Sequence, residues 1–210
     1  MNFDAKASRW DTDPKKIARA EAVAKGICAM VPLHAAMRTL EYGCGTGLLG
    51  FALQPHVGKL IFADSSPGML DVVEQKIAAA DNANLSSRLL DLDKDPAPPE
   101  CFDLICSLMT LHHVGDYQGL LTKFYQLLHP GGYLCVADLD TEDGSFHNSD
   151  FAGHQGFDRD VLHHQLQQIG FDHIRFKTVF EVVRGEAEAA RRYPVFLMVC
   201  RRRDPQKLTT

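Results

Sequence analysis

The chain has 210 residues, which is long enough for one sizeable hydrophobic core and short for two domains. Its net charge of −5 and pI of about 6.0 argue against a nucleic-acid-binding surface, because such surfaces usually carry a clustered basic footprint. No apolar run approaches the roughly 20 residues of a membrane span, and the first residues lack the apolar core of a signal peptide. We therefore expect a cytoplasmic protein, and we expect its six cysteines, none in a C-x-x-C pair, to be free thiols.

The first 37 residues predict a helical cap ahead of the main domain, which is expected to span residues 38–210. Asp13 is a suitable N-cap, and Pro14 suits the first turn of a helix. Apolar residues then recur at helical spacing over residues 17–27. The pattern indicates one amphipathic helix in this segment.

From residue 38 onward, strand-like and helical patterns alternate, which is typical of a parallel sheet covered by helices on both faces. The last two strand-like runs are joined by the charged, alanine-rich residues 184–192 instead of a periodic helix, so they are expected to pair antiparallel. The predicted fold class is α/β: a three-layer, doubly wound, seven-stranded sheet, mostly parallel, with an antiparallel last strand. The predicted strands are 38–42, 59–63, 86–90, 102–108, 132–138, 173–182 and 194–201. The predicted helices between them are 47–54, 67–80, 117–128 and 158–169.

The most informative stretch begins at Leu40 and places Gly43, Gly45 and Gly47 directly after the first predicted strand. Glycines at such a turn let the backbone approach a ligand without a Cβ in the way. Asp64 ends the second predicted strand, where its carboxylate can accept hydrogen bonds from two ribose hydroxyls. The combination predicts a pocket for a cofactor that contains adenosine.

The spacing of the glycines narrows the type of cofactor. The dinucleotide fingerprint G-x-G-x-x-G would place its third glycine at Leu48, whereas this chain reads G-x-G-x-G. That spacing resembles motif I of the class I S-adenosylmethionine-dependent methyltransferases, E-x-G-x-G-x-G. Five further segments match the pattern of this family in order, and the resemblance covers about residues 38–172. These segments are Asp64–Leu70, Leu90–Leu92, Phe102–Val114, Leu127–Leu134 and Phe157–Phe171.

Within that family, the chain is most similar to the ubiquinone/menaquinone C-methyltransferase-like group of small-molecule enzymes. Bacterial members with unassigned substrates share segments similar to Asp143–His147 and His154–Asp158. The resemblance implies a Rossmann-like methyltransferase fold.

The resemblance also implies S-adenosylmethionine as cofactor and S-adenosylhomocysteine as product. In the family, the acid at Asp64 takes the ribose hydroxyls, and the acid at Asp91 accepts from the adenine amino group. An acid at Glu41 reaches the amino group of the cofactor, commonly through water. A strand-end acid paired with a base is the alternative for Glu41, and a helix-capping acid is the alternative for Asp91. The implied cofactor-binding residues are Glu41, Gly43, Gly45, Gly47, Asp64, Ser65, Met69, Asp91, Leu92 and Ser107.

His112 and His113 follow the fourth predicted strand, on the edge of the sheet where an acceptor is expected. Because histidine can take up a proton near neutral pH, both are candidate catalytic bases, and His113 is the preferred one. Packing and hydrogen bonding within the loop is the alternative for both residues.

The longest stretch without periodicity is the lid-like segment, residues 139–157, which carries His147 and His154 among phenylalanines. These two histidines and Trp10 are candidate substrate-binding residues. The alternatives are an ordered surface loop for the histidines and ordinary packing for Trp10. Histidine is a common metal ligand, but this spacing matches no metal signature, and no metal is predicted.

The leading prediction is a methyltransferase that acts on a small-molecule acceptor, with neither nucleic acid nor membrane insertion involved. The stretch after the fourth strand lacks the D/N-P-P-Y/F tetrapeptide of DNA and protein amide methyltransferases. Two alternatives stay open: a non-catalytic regulator that binds the cofactor or its product, and a nucleotide-cofactor oxidoreductase. The acceptor atom and the oligomeric state are not determined by the sequence.

Overall fold

A computed structural model describes residues 3–147, 151–185 and 190–204. The strands are β1 (Arg38–Tyr42), β2 (Lys59–Asp64), β3 (Leu85–Leu89), β4 (Phe102–Leu108), β5 (Leu128–Leu139), β6 (Phe171–Arg184) and β7 (Arg191–Arg202). The α-helices are α1 (Pro14–Met30), α2 (Leu48–Leu53), α3 (Pro67–Ala80), α4 (Tyr117–Leu127) and α5 (Arg159–Ile169). Short 3-10 helices span Asp4–Thr12, Gln54–His56 and Leu111–His113.

The seven strands form one sheet in the order β3-β2-β1-β4-β5-β7-β6. Strands β1 to β5 pair parallel, and β7 lies antiparallel between β5 and β6. The predicted fold class and the antiparallel terminal pair are therefore confirmed. Residues 148–150 of the lid-like segment and 186–189 of the last connection lie outside the described residues.

The helices begin where the sequence offers capping groups. The Asp13 side chain accepts from the backbone N–H of Lys15 at 2.9 Å, with Pro14 in the first turn of α1. The same kind of cap starts α3, where the Ser66 hydroxyl accepts from the backbone N–H of Met69 at 3.2 Å. The predicted start of the N-terminal helix is confirmed.

Two hydrophobic clusters cover the two faces of the sheet. One gathers buried side chains of α1, α2 and α3, and the other gathers those of α4 and α5. Strand β7 contributes to both, since successive strand residues point to opposite faces: Leu197 and Val199 join the first cluster, and Phe196 and Met198 the second. This burial on both faces explains why β7 reads as an unbroken apolar run.

The largest difference in an element edge from the sequence prediction is at the start of β5, and the other edges differ by at most three residues. Strand β5 begins at Leu128, earlier than predicted, because Leu128 pairs with Phe102 ahead of an irregularity in register, after which pairing with β4 resumes at Tyr133. Strand β6 extends from Phe171 to Arg184 because its pairing with β7 continues along the whole hairpin. All six cysteines are free, as expected, and Cys44, Cys106, Cys135 and Cys200 are buried. Of the helices that the structure describes, none has the length and apolarity needed to cross a membrane.

The fold places one crevice where a ligand is expected. The chain builds β1, β2 and β3 on one side and then returns to place β4 on the other side of β1. The strand order therefore reverses between β1 and β4, and ligands of open α/β sheets bind beyond the carboxyl ends of the strands at such a point.

Candidate functional site

A cavity of about 770 Å³ opens at the carboxyl ends of β1, β2 and β4. One part of its wall carries residues 41–45, Asp64 and Asp91, which we call the cofactor half. The other part carries His112, His113 and His147 with cationic and aromatic neighbours, and we call it the acceptor half. A volume of this size lies in the range of small-molecule sites, roughly 300–1,000 Å³.

The glycine turn has left-handed backbone at its three glycines, with φ of 65°, 53° and 81° at Gly43, Gly45 and Gly47. A Cβ on Gly43 would collide with the Thr110 side chain, so this glycine lets the turn pack against the end of β4. A Cβ on Gly45 would come no closer than 3.8 Å to Trp10 Nε1, because this position faces the cavity. Gly45 is therefore the glycine whose backbone a ligand can approach.

Gly47 has a packing role that is visible in the structure. It is the N-cap of α2 and does not belong to the cavity wall. A Cβ there would lie 2.9 Å from Phe62 and 3.0 Å from Phe51, so the turn can pack closely against these two rings only with a glycine at this position. Its predicted contact with the cofactor stays a prediction.

Asp64 links the glycine turn to the end of β2. Its carboxylate accepts from the backbone N–H of Gly45 at 2.7 Å and from that of Ser66 at 2.9 Å. Burial raises the pKa of Asp64 above its usual value, and the backbone hydrogen bonds oppose that rise. A carboxylate can accept about four hydrogen bonds, so acceptor capacity toward the cavity remains for two ribose hydroxyls.

Glu41 lies deep in the cavity wall with 2% of its surface exposed. Its Oε2 accepts from the backbone N–H of Gly50 at 2.9 Å. Burial raises the pKa of Glu41 to about 8, so the carboxyl is mostly protonated at neutral pH. The described residues include no ion-pair partner for it, which disfavours the alternative of a strand-end acid paired with a base. A cation bound in the cavity would favour its ionised form.

Asp91 lies in the wall of the cofactor half, as predicted, and caps no helix. Its carboxylate accepts from Lys94 Nζ at 2.7 Å and from the backbone N–H of Asp93 at 3.1 Å. These bonds fold the segment after β3 into a compact turn at the rim of the cavity. Ser65 and Met69, two further predicted cofactor residues, also lie in the wall.

Besides Gly47, the predicted cofactor residues Leu92 and Ser107 lie outside the cavity wall, and both form hydrogen bonds with Tyr42. The backbone N–H of Leu92 donates to the Tyr42 hydroxyl at 3.1 Å, and the Leu92 side chain is fully buried. The Ser107 hydroxyl donates to the Tyr42 carbonyl at 2.8 Å. In this structure both residues fix the ends of their segments against β1, and their predicted contact with the cofactor stays a prediction.

The N-terminal 3-10 helix covers the glycine turn. Its Asp11 carboxylate accepts from the Thr46 hydroxyl at 2.5 Å, and its Asp4 carboxylate accepts from the Ser66 hydroxyl at 2.5 Å. These bonds hold Trp10 in the cavity wall, where Lys16 Nζ lies 3.5 Å from the centre of its ring. The prediction that Trp10 faces the site matches this placement.

In the acceptor half, His112 is held by Asp138, a residue that the sequence analysis did not single out. The side chains of His112 and Asp138 are 1% and 0% exposed. His112 Nδ1 lies 2.6 Å from Asp138 Oδ1, and the His112 backbone N–H donates to Oδ2 at 3.2 Å. Because a carboxylate only accepts, we assign the proton to Nδ1, which leaves a lone pair on Nε2. That Nε2 atom is buried and has no hydrogen-bond partner among the described residues.

His113 and His147 complete a cluster with His112. One ring nitrogen from each of the three residues can be chosen so that all three lie within 4.8 Å of one another. The His147 ring stacks on Phe151 with 3.8 Å between centroids, and its buried Nε2 has no partner among the described side chains and backbone. Burial lowers the pKa of His113 to about 3 and that of His147 to about 4, so both rings are neutral near pH 7.

Three cations, also missed by the sequence analysis, surround the acceptor half: Lys16, Arg19 and Arg184. The Nε of Arg19 is buried without a hydrogen-bond partner among the described residues. Burial lowers the pKa of Arg19, while the negative charges of Asp138 and Asp13 raise it. No sequence pattern marks Arg19 as a cavity residue, because a basic residue on an amphipathic helix usually faces solvent.

His154, the second candidate substrate-binding histidine of the lid-like segment, lies outside the wall of this cavity. Its Nε2 lies 3.0 Å from the Val114 carbonyl, and its backbone N–H donates to the His112 carbonyl at 2.8 Å. His154 therefore fastens the lid-like segment to the turn that carries His112. His147 is the histidine of this segment that reaches the cavity.

The fold and the site together define an α/β protein with a Rossmann-like sheet and an adenosine-cofactor pocket at its topological switch point. Residues 39–132 match the family model described as a methyltransferase domain. This match and the methyltransferases among its relatives support a class I S-adenosylmethionine-dependent methyltransferase with S-adenosylmethionine as cofactor, and the resemblance found in the sequence is confirmed at this level.

Curated relatives match only part of their own length. The biotin biosynthesis bifunctional protein BioCD of Bordetella avium is 38% identical over 145 residues, which cover 67% of this chain and 30% of that protein. The ubiquinone biosynthesis O-methyltransferase of Cereibacter sphaeroides is 32% identical over 114 residues, which cover 52% of this chain and 44% of the relative. The chain thus spans less than half the length of either relative.

Solved structures share the fold at low identity. A chain in the complex between the Haloferax volcanii Trm112 methyltransferase activator and a methyltransferase aligns with a TM-score of 0.75 at 18% identity, over 96% of this chain and 97% of that chain. The [4+2]-cyclase SpnF aligns with a TM-score of 0.71 at 13% identity, over 88% and 82% of the two chains. Because a cyclase is among the neighbours, the fold alone does not decide the reaction.

Proposed function

We propose that this protein transfers the methyl group of S-adenosylmethionine to a small molecule that carries an anionic group and a nucleophile with a proton to lose. One observation carries the proposal: the cofactor half and the histidine-rich acceptor half share a single cavity. A donor bound in the first half would therefore present its methyl group to the second.

In the cofactor half, Gly45 offers close backbone approach, and Asp64 and Asp91 are the acceptors for the ribose and adenine groups. Glu41 is the acid nearest the deep end and is proposed to face the cofactor's amino group. The cofactor supplies its own activation, because its sulfonium is a good leaving group. The protein therefore has to align donor and acceptor about 3 Å apart and exclude water, which can supply several kcal/mol of the barrier.

The acceptor half favours a small anionic molecule. The cavity has to hold the cofactor as well, which leaves limited room for the acceptor. Trp10, Phe3 and Phe146 supply apolar surface, while Lys16 and Arg19 supply positive charge. A carboxylate or phosphate on the acceptor would provide the hydrogen-bond partner that the buried Nε of Arg19 lacks.

The histidine cluster is proposed to activate the acceptor's nucleophile. Of the two candidate bases, the geometry favours His112 over His113, which the sequence favoured. Asp138 fixes the His112 ring and its tautomer, as the aspartate does in serine proteases. His113 has no such orienting carboxylate, and a pKa of about 3 makes it a weak base.

The two alternative functions receive less support. A nucleotide-cofactor oxidoreductase is disfavoured by Leu48 at the position of the third fingerprint glycine and by the family match over residues 39–132. A purely regulatory cofactor-binding protein would need no orienting carboxylate behind a cavity-facing histidine, whereas Asp138 provides one.

The test measures binding and turnover separately. Calorimetry with S-adenosylhomocysteine should give 1:1 binding, with NADH as a non-binding comparison. Methyl-labelled S-adenosylmethionine is then incubated with matched acceptors that differ only in a carboxylate, and label should move preferentially to the anionic member of a pair. Cofactor binding without transfer to any hydroxyl, amine, thiol or carbon acceptor would support the regulatory alternative instead.

A further inference from the structure

We propose that His112, His113 and His147 bind one divalent transition-metal ion, of which Zn²⁺ is the reference case. The ion would lie in the acceptor half of the cavity. The binding site itself is independent of the reaction, whereas the use of the ion to activate an acceptor rests on the proposed function.

The first argument is the convergence of the three rings. One ring nitrogen from each residue lies within 4.8 Å of the other two. Tetrahedral zinc binds histidine nitrogens at about 2.0–2.1 Å, which places the ligand nitrogens about 3.4 Å apart. Modest rotations of the three rings, with centroids 4.1–5.5 Å apart, would bring the nitrogens to that spacing.

The second argument is the carboxylate behind His112. Metal-binding histidines usually donate their other ring N–H to a carboxylate or carbonyl, which fixes the tautomer and directs the lone pair at the metal. The His112 Nδ1 to Asp138 Oδ1 distance of 2.6 Å has this arrangement, within a pair that is almost completely buried. The Nε2 lone pair of His112 is then available to a metal ion, since this atom has no hydrogen-bond partner among the described residues.

The third argument comes from two polar atoms without partners. His112 Nε2 and His147 Nε2 are both buried and make no hydrogen bond to any described residue. Buried polar atoms are nearly always satisfied, so these two ring nitrogens are candidates for binding a shared group. A metal ion can satisfy lone pairs from several sides at once, and all three histidines belong to the cavity wall.

The three imidazole ligands limit both the metals that would bind here and the acceptor groups that the metal would activate. Imidazole suits zinc, copper, iron and nickel, and does not suit magnesium or calcium, which prefer oxygen. Three protein ligands with one open position are typical of catalytic zinc sites. An acceptor hydroxyl or thiol bound there would lose its proton to solvent more readily. Its oxygen or sulfur would then form the new bond to the methyl carbon as the S–CH₃ bond of the cofactor breaks, which turns the sulfonium into a thioether.

The test is a metal titration of the full chain after treatment with a chelator. Zn²⁺ in competition with a chromophoric chelator should bind at 1:1 stoichiometry, and Co²⁺ should give the intense visible absorption of a four-coordinate site. His113→Ala and His147→Ala should each weaken binding at least tenfold, and Asp138→Asn should weaken it about 10–100-fold. His164→Ala, on the exposed face of α5, is the matched control and should bind like the unmodified chain.

Binding of S-adenosylhomocysteine shows for every variant that the fold is intact. Absence of 1:1 binding, or affinity that is unchanged in His113→Ala and His147→Ala, would overturn the metal site. If methyl transfer proceeds in the metal-free chain while His112→Ala abolishes it, the role of the ion in the reaction is overturned, whereas the proposed function stands. If the metal binds as expected but no acceptor is methylated, the site stands and the function fails.

Discussion

The cofactor half of the cavity is assembled from neighbours in the sequence, whereas the acceptor half is assembled from distant elements. The first half draws on the ends of β1, β2 and β3, within residues 41–94. The second half takes Arg19 from α1, two histidines from the turn after β4, His147 from the segment after β5 and Arg184 from β6. Its orienting carboxylate, Asp138, comes from β5 itself.

This difference in assembly indicates which half of the cavity depends on a local sequence motif and which half does not. The glycine turn and Asp64 are joined by backbone hydrogen bonds, so the cofactor half depends on a local motif with fixed spacing. The acceptor half depends on side chains that separate elements bring together, so it rests on no single local motif. This division allows one cofactor fold to serve many acceptors. It also predicts that mutations in the two halves have separable effects.

The largest effect is expected for Asp138→Asn, which should lower turnover by roughly 10²–10⁴-fold. The physical reason is the loss of the charge that fixes the His112 tautomer and orients its ring. Affinity for S-adenosylhomocysteine should change little, because Asp138 is not part of the cofactor half. Steady-state kinetics together with calorimetry measure both quantities.

A loss of cofactor affinity in Asp138→Asn that equals the loss of turnover would mean that the halves are coupled. Thermal unfolding of the same sample separates that outcome from a general loss of structure, since Asp138 is fully buried.

The next effect concerns the cofactor half. Asp64→Ala should weaken S-adenosylhomocysteine binding on the order of 10²-fold or more, because charge-assisted hydrogen bonds to the ribose are lost and the glycine turn loses its anchor at Gly45. Asp71→Ala, an exposed carboxylate on α3, is the matched control and should bind normally. Calorimetry that finds equal affinities for the two variants would remove Asp64 from the cofactor site.

The Asp64→Ala variant also tests whether the cofactor half and the proposed metal site are independent. Asp64→Ala should keep the metal-binding behaviour of the unmodified chain, because the two sites share no residue. If Asp64→Ala also lost metal binding, the cofactor half and the proposed metal site would depend on each other and would not be separable.

The smallest effect is a proton released when the cofactor binds. The pKa of Glu41 is raised to about 8 by burial, so the carboxyl is mostly protonated at pH 7 in the free protein. A cationic amino group nearby lowers that pKa, so binding should release up to one proton at pH 7 and tighten as the pH rises toward 8. Calorimetry in buffers of different ionisation enthalpy measures the release, which Glu41→Gln should abolish.

The free protein offers an internal control for this prediction. A carboxyl whose pKa is raised on folding stabilises the native state less as the pH rises from its ordinary value of 4.5 to about 8. The free energy of unfolding should therefore fall in this window, by up to about 1.4 kcal/mol per pH unit, and less steeply in Glu41→Gln. If the free energy of unfolding fell equally steeply with pH in both proteins, a group other than Glu41 would cause the pH dependence.

Sequence reasoning worked best where a local rule applied. Asp13 and Pro14 marked the start of α1, and the charged connection without a periodic helix marked β6 and β7 as an antiparallel pair. It did not foresee the surroundings of Leu92 and Ser107. Nothing in the sequence shows that the Leu92 backbone N–H donates to the Tyr42 hydroxyl or that the Ser107 hydroxyl donates to the Tyr42 carbonyl.

The sequence by itself determined the fold class, the glycine turn and the acids of the cofactor half, because periodicity, capping and glycine spacing act over a few residues. The tertiary structure decided which histidines meet, that Asp138 stands behind His112, and that Arg19 faces the cavity. Those contacts join residues far apart in the chain, and their geometry follows from how the helices and the last strands pack on the sheet. Spacing along the chain carries no record of that packing.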